Sequence, residues 1–139
     1  MKKLHFLVIT TVILNAFILI GAGHGLGILI IYEILSPEFI LTGSNAINWD
    51  HYDGRLVPVA FLSLLFQLLL LFSLKIKKRQ LQKIWINTSC ITLILVFFIL
   101  VKDFSESNVD TLSLIGGIPF LLSSLFLLYK VNSDKISDL

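Results

Sequence analysis

The chain has 139 residues, a mean hydropathy of +0.92 and only 14% charged residues, against about a quarter in ordinary soluble domains. These values exclude a soluble globular domain and predict an integral membrane protein. The net charge of +2 is small and the basic residues lie beside apolar segments, so no nucleic-acid partner is expected. The one cysteine, Cys90, excludes an intramolecular disulfide and a thiolate metal cluster within a single chain.

Four apolar segments, separated by charged loops, make up more than half of the chain. They are predicted as transmembrane helices at about residues 4–31, 56–74, 84–101 and 111–129. Each is long enough to cross the hydrocarbon of a bilayer, which needs about 20 helical residues. The predicted fold is therefore an all-α integral membrane domain over residues 1–139, with four transmembrane helices in an antiparallel bundle.

Basic and acidic residues alternate between the loops. Nine of the eleven Lys and Arg residues lie near the termini or in the inner loop 75–83, whereas seven of the nine Asp and Glu residues lie in the other connections. Because cytoplasmic loops are rich in Lys and Arg, both termini are predicted to be cytoplasmic, in a multi-pass protein of the plasma (inner) membrane. The loop 36–55 is then outside, and loop 75–83 is expected to contact anionic lipid headgroups.

The first apolar segment is the least regular. A helix from Leu4 to Leu35 would be about 48 Å long, which exceeds the hydrocarbon thickness, so the segment must tilt or break. Pro37 is expected to end any helix at Ser36. Alternating glycines mark the candidate break and, on a helix, would allow close packing on two faces. These glycines are Gly21, Gly23, Gly25 and Gly27.

A cleaved signal peptide is the alternative interpretation of the first segment. It is disfavoured because the apolar core from Leu4 to Ile20 exceeds the usual length of about 7 to 15 residues.

Acidic and histidine side chains accumulate at the predicted outer face. Oxygen and imidazole groups of this kind bind divalent cations, so a divalent metal is the one candidate cofactor. The candidate ligands are His24, Glu33, Asp50, His51 and Asp53. No established metal-binding spacing occurs among them. The alternative is a hydrated interfacial loop in which Trp49 and Tyr52 lie at headgroup level.

Polar and small residues also occur within the predicted spans. Asn15 and Gln67 each lie eleven residues into an apolar segment, so antiparallel helices should bring the two amides together inside the bundle. In the last segment, Ser113, Gly117 and Ser124 predict a packing stripe. The second, third and fourth segments contain no Asp, Glu, Lys, Arg or His, which disfavours a proton-coupled or ion-coupled transporter.

Three functions are compatible with this pattern. The favoured one is a small non-enzymatic membrane subunit that self-associates, as a homo-oligomer, or docks on a membrane-protein partner through its glycine and serine stripes. The second is a pore or carrier for a small or lipidic solute, with Asn15 and Gln67 inside. The third is a membrane-face enzyme or metal-binding protein that uses the outer loop. Enzymatic activity is not favoured, because general acid–base chemistry requires a titratable group within reach of the substrate.

Overall fold

The computed structural model describes residues 2–22, 25–43 and 49–133. Within these ranges the chain is mostly helical, with five α-helices and one antiparallel two-stranded sheet. In chain order the elements are α1 (Lys2–Ala16), β1 (Leu19–Ala22), β2 (Gly25–Ile28), α2 (Leu29–Thr42), α3 (Tyr52–Phe72), α4 (Arg79–Leu100) and α5 (Asn108–Ser133). The helical class predicted from the sequence is confirmed, but the described chain is not a simple four-helix bundle.

Three helices in the described part of the chain are long and apolar enough to cross a membrane. They are α3 with the short 3-10 turn that follows it, α4, and α5, and they correspond to the second, third and fourth predicted segments. Each begins several residues earlier than its apolar run, because polar residues form the first helical turn. The helix α1 is apolar but shorter, at 15 residues.

The first apolar segment is not one helix: the break that the sequence predicts near its glycines is confirmed, and the alternative of one long tilted helix over residues 4–31 is wrong. After Ala16 the chain forms the hairpin of β1 and β2, in which Leu19 pairs with Ile28. Next to this pair, at the open end of the hairpin, the Leu29 amide donates a hydrogen bond to the Ile18 carbonyl at 3.0 Å. Each glycine in a helix interior costs about 1 kcal/mol relative to alanine, so the alternating glycines favour this change from helix to strand. Glycine pairs on helix faces therefore do not form here.

The segment formed by α1 and β1 runs antiparallel to α5. In α1, the hydroxyl of Thr11 lies 2.7 Å from the hydroxyl of Ser123. In β1, Gly21 lies so close to Val109 that an added Cβ would overlap the valine side chain. Val109 is at the start of the 26-residue α5 and Ser123 is beyond its middle, so α1 and β1 together lie along more than half of that helix.

The helix α2 continues through Pro37 to Thr42 and ends at Gly43, which has a left-handed φ of 61°. The predicted helix end at Ser36 is therefore wrong. Pro37 has no N–H to donate to the carbonyl of Glu33, four residues earlier. The Ser36 hydroxyl donates to that carbonyl instead, at 2.9 Å. A side-chain hydroxyl thus replaces the hydrogen bond that proline removes, which explains why the helix tolerates it.

The helices α3, α4 and α5 form an antiparallel core. Phe97 of α4 packs edge-on against Phe120 of α5, with ring centroids 5.8 Å apart. Gly117 leaves room for the Phe97 ring, since a Cβ there would overlap it. Cys90 is fully buried in the same core, and its thiol donates to the Ser124 carbonyl at 3.5 Å.

Candidate functional site

Two polar clusters are buried between the helices. The Glu33 cluster consists of Asn15, Glu33, Ser63 and Gln67, from α1, α2 and α3. The Arg55 cluster consists of Tyr52, Arg55, Asp103, Asp110 and Ser113, from α3, α5 and the turns between α4 and α5.

The Glu33 cluster directs several hydrogen-bond donors at one carboxylate. Glu33 is only 1% exposed. Its Oε1 atom accepts from the Ser63 hydroxyl at 2.8 Å and from the Gln67 amide at 2.6 Å. The Asn15 amide in turn donates to the Ser63 hydroxyl at 2.6 Å. Four side chains from three helices therefore form one connected network that ends on Glu33.

The β-hairpin explains why Glu33 lies beside the middle of α3. Ser63 is the twelfth of the 21 residues of α3, so the carboxylate contacts the middle of that helix. On a continuous first helix, Glu33 would lie beyond the outer end of the bundle. The hairpin reverses the chain instead and returns it to the depth of Asn15. The prediction that Glu33 lies with the outer loop is therefore wrong.

The charge environment of Glu33 is unusual for a buried acid. In the described part of the chain, the side chains that hydrogen-bond to it are Ser63 and Gln67, both of which are neutral. Transferring an ion from water to such an interior costs several kcal/mol unless other charges compensate. The donors lower this cost, and a bound proton or cation would remove the excess charge.

A small cavity lies beside the Glu33 cluster. Asn15 and Ser63 contribute its polar wall, and the remaining wall is apolar. Its volume of about 10 Å³ is enough for about one water molecule. The apolar lining residues are Ile18, Leu29, Val59, Leu93, Val96, Phe97 and Leu100.

The Arg55 cluster pairs a buried cation with carboxylates, unlike the Glu33 cluster. Arg55 is 1% exposed and its Nη1 donates to Asp103 Oδ2 at 2.7 Å. Its Nη2 donates to Oδ2 of the fully buried Asp110. Its Nε donates to the Leu100 carbonyl at 3.3 Å, and the guanidinium carbon lies 5.7 Å from the centre of the Tyr52 ring. One side chain thereby fastens the start of α3 to the end of α4 and the start of α5.

Further hydrogen bonds link the members of this cluster. The Asp103 amide donates to Asp110 Oδ2 at 2.9 Å, and the hydroxyls of Tyr52 and Ser113 are 2.8 Å apart. The other Asp110 oxygen, Oδ1, is buried and has no donor among the described residues. Asp103 is 40% exposed and so connects the cluster to solvent.

The two predicted amides are both buried but do not meet directly. Asn15 donates to Ser63, and Gln67 lies 3.3 Å from the same hydroxyl, so Ser63 stands between them. The sequence interpretation did not include Glu33 in this group. Ser63 lies one helical turn before Gln67, so the sequence places these two side chains on the same face of α3.

Among the described residues, the predicted metal ligands do not form one site. His24 lies outside the described residues, and Glu33 is in the network with Ser63 and Gln67. Asp50, His51 and Asp53 are exposed near the start of α3. Within residues 2–22, 25–43 and 49–133, no group of three or more His, Cys, Asp or Glu side chains is arranged to hold a metal ion. Metal binding by a set that includes His24 stays a prediction.

Several predicted packing residues contact the chain's own side chains. Gly21 packs on Val109, and Gly117 packs on Phe97. Ser113 bonds to Tyr52, and Ser124 donates to the Phe120 carbonyl at 2.8 Å. Of the other glycines, Gly25 has no atom within 4 Å of an added Cβ, Gly27 pairs with Ile20 in the hairpin, and Gly23 lies outside the described residues.

Comparison of the chain with protein-family models, with curated protein sequences and with solved structures gives no match. The functional conclusions below therefore rest on the geometry of the two clusters.

Proposed function

We propose that the protein is a multi-pass membrane carrier or pore for a small cation, which binds at Glu33. The observation that carries this proposal is the position of a buried carboxylate against the middle of a helix that can span the membrane. An ionisable group at such a depth is costly, and in membrane proteins it commonly belongs to an ion or proton pathway. A cation is the complementary ligand, because the side chains bonded to Glu33 are neutral.

The size of the site limits the solute. The adjoining cavity of about 10 Å³ has room for about one water molecule, which excludes a lipidic or large organic solute from this conformation. A proton or a small inorganic cation fits. The absence of Asp, Glu, Lys, Arg and His from the last three apolar segments had argued against such a transporter, and Glu33 supplies the missing group from the first segment.

The antiparallel arrangement of α1 and β1 with α5 supports an orientation. Together, 15 helical and four strand residues extend about 35 Å, enough to cross the hydrocarbon. We propose that this composite segment is the first of four crossings, with both termini and the basic loop 75–83 cytoplasmic. Location in the plasma (inner) membrane and contact of that loop with anionic headgroups belong to the same proposal.

Flux into liposomes tests the cation proposal. Purified protein is reconstituted, and proton flux and sodium or potassium flux are measured separately with ion-specific dyes under an imposed gradient. We expect flux above that of protein-free liposomes for at least one of these ions, and its loss in Glu33→Gln, which keeps the shape of the side chain but removes its charge.

The matched control is Glu38→Gln, on the same helix but exposed. It should conduct like the parent protein. Flux that is equal in Glu33→Gln and the parent, or no flux of any tested ion through the parent, would contradict the proposal.

A self-associating membrane subunit is the second candidate. Only 28% of the most apolar window of α5 is buried within the chain, compared with 50% for α3, so α5 has the largest surface left for a second copy. Mass measurement in detergent and in lipid nanodiscs tests this. A monomer in both would contradict it, whereas a discrete dimer or larger assembly would support it.

Metal binding at the outer face, and any enzymatic activity there, stay predictions. Metal binding is tested by metal analysis of the purified protein and of a variant with both His24→Ala and His51→Ala. Equal metal content in the two preparations would remove these histidines as ligands.

A further inference from the structure

One face of α3 connects the two polar clusters. Arg55, Val59, Ser63 and Gln67 are spaced by four residues and are all buried. Successive members of such a stripe lie about 6 Å apart along a helix. Each step of four residues also rotates the position by about 40° around the helix, so Arg55 lies about two helical turns from Ser63 on the buried side of α3, with Val59 between them.

The cavity occupies this interval. Its polar wall is Asn15 and Ser63, at the Glu33 cluster, and Val59 and Leu100 are among its apolar walls. The carbonyl of Leu100 accepts the hydrogen bond from Arg55 Nε. Arg55 is thus hydrogen-bonded to the backbone of a residue that lines the cavity, at the end of α4.

We propose that Arg55, with Asp103 and Asp110, is the outer gate of a path along this face of α3 that leads to Glu33. The proposal rests on the proposed cation function of Glu33. The structure represents the closed state, in which Arg55 is bonded to α4 and to both aspartates. Opening requires Arg55 to leave Leu100 and at least one carboxylate, so that α4 can separate from α3 beside Val59.

The charges of the gate suit a cation as the arriving solute. Two carboxylates surround one guanidinium, which leaves an excess of one negative charge when all three groups are ionised. Asp103 is 40% exposed, so a cation from outside reaches it first and competes with Arg55 for its oxygens. An arriving cation would therefore weaken one of the bonds that keep the path closed.

Cysteine accessibility tests the gate without any need for transport. Cys90 is the one cysteine of the chain, so Cys90→Ala provides a background without thiols. In this background Val59→Cys is exposed to a membrane-impermeant methanethiosulfonate on intact cells. We expect slow labelling with the parent gate and labelling that is about tenfold faster with Asp110→Asn. The reason is that a loss of about 1.4 kcal/mol in the stability of the closed state shifts the equilibrium between closed and open states tenfold toward the open state.

Two controls accompany this measurement. Leu68→Cys lies on the exposed face of α3 and should stay unlabelled with either gate, since lipid would cover it. Asp103→Asn is a milder second gate variant, and it serves if Asp110→Asn fails to give a single species on size-exclusion chromatography. Equal labelling of Val59→Cys with the parent gate and with a folded gate variant would overturn the proposal.

The gate and the cation function fail in distinguishable ways. In the first case, Val59→Cys is labelled faster in the gate variants but Glu33→Gln leaves the flux unchanged. This result would support the path and reject Glu33 as its binding site. In the second case, the flux depends on Glu33 but the rate of Val59→Cys labelling is the same with the parent gate and the gate variants. This result would support the cation site and reject Arg55 as its gate.

Discussion

The Glu33 and Arg55 clusters show two ways of burying an acid in the same small protein. Asp110 is fully buried and ion-paired with Arg55, whereas Glu33 is 1% exposed and bonded to neutral hydroxyl and amide groups. A paired charge fastens helices, and removal of one partner is strongly destabilising. An acid with neutral partners contributes little to stability in its charged form, because its desolvation offsets its hydrogen bonds. The difference suggests that the Arg55 ion pairs stabilise the closed structure, whereas Glu33 contributes little stability and is retained for its chemistry.

The largest expected effect is a loss of stability when Arg55 is removed. Arg55→Leu leaves Asp110 as a buried charge with no cation, so the free energy of unfolding in detergent should fall by about 3–5 kcal/mol. Adding Asp110→Leu should restore part of that loss, because the uncompensated charge is then removed. Thermal and denaturant unfolding of the single and double variants measures this. A double variant less stable than Arg55→Leu would contradict the interpretation of the pair.

An intermediate effect is expected for Gln67→Leu, which removes one donor from Glu33. Hydrogen bonds to charged groups contribute about 1.5–3 kcal/mol, so the loss should fall in that range if Glu33 is ionised. In the Glu33→Gln background the same substitution should cost about 1 kcal/mol or less, since both partners are then neutral. Unfolding measurements on the four proteins of this double-mutant cycle give the coupling directly. Equal costs in the two backgrounds would show that Glu33 is neutral in the folded protein.

The smallest effect is expected beside Glu33, in the backbone of α2. Ser36→Ala removes the donor to the Glu33 carbonyl and should reduce the free energy of unfolding by about 1 kcal/mol. In a Pro37→Ala background, a backbone N–H is available to that carbonyl, so Ser36→Ala should cost almost nothing. A similar loss in both backgrounds would mean that Ser36 acts through some other contact.

The sequence predicted the regions where hydrophobicity dominates. Segments 56–74, 84–101 and 111–129 correspond to α3, α4 and α5, because about 20 apolar residues in lipid have few alternatives to a helix. The burial of Asn15 and Gln67 was likewise expected from the cost of exposing amides to hydrocarbon. These predictions depend on local composition, which a single sequence contains in full.

The site was harder to predict because it depends on a reversal of the chain. Leu19 pairs with Ile28 in a hairpin, and no periodicity distinguishes this from a glycine-interrupted helix. That reversal moves Glu33 from the outer face to the middle of α3. The Arg55 pairs were missed for a related reason: Asp103 and Asp110 are about 50 residues away in sequence, and only tertiary packing brings them to Arg55.

The contacts of α1 and β1 with α5 have a consequence for synthesis of the protein. The partners of Thr11 and Gly21 are Ser123 and Val109, which the ribosome adds roughly a hundred residues later. With 15 residues, α1 is too short to cross the bilayer as an independent helix, and the strands need protein around their backbone. We therefore expect the first segment to reach its final packing only after α5 has been synthesised. Chains that stop before α5 should be degraded, although they contain every residue of the Glu33 cluster.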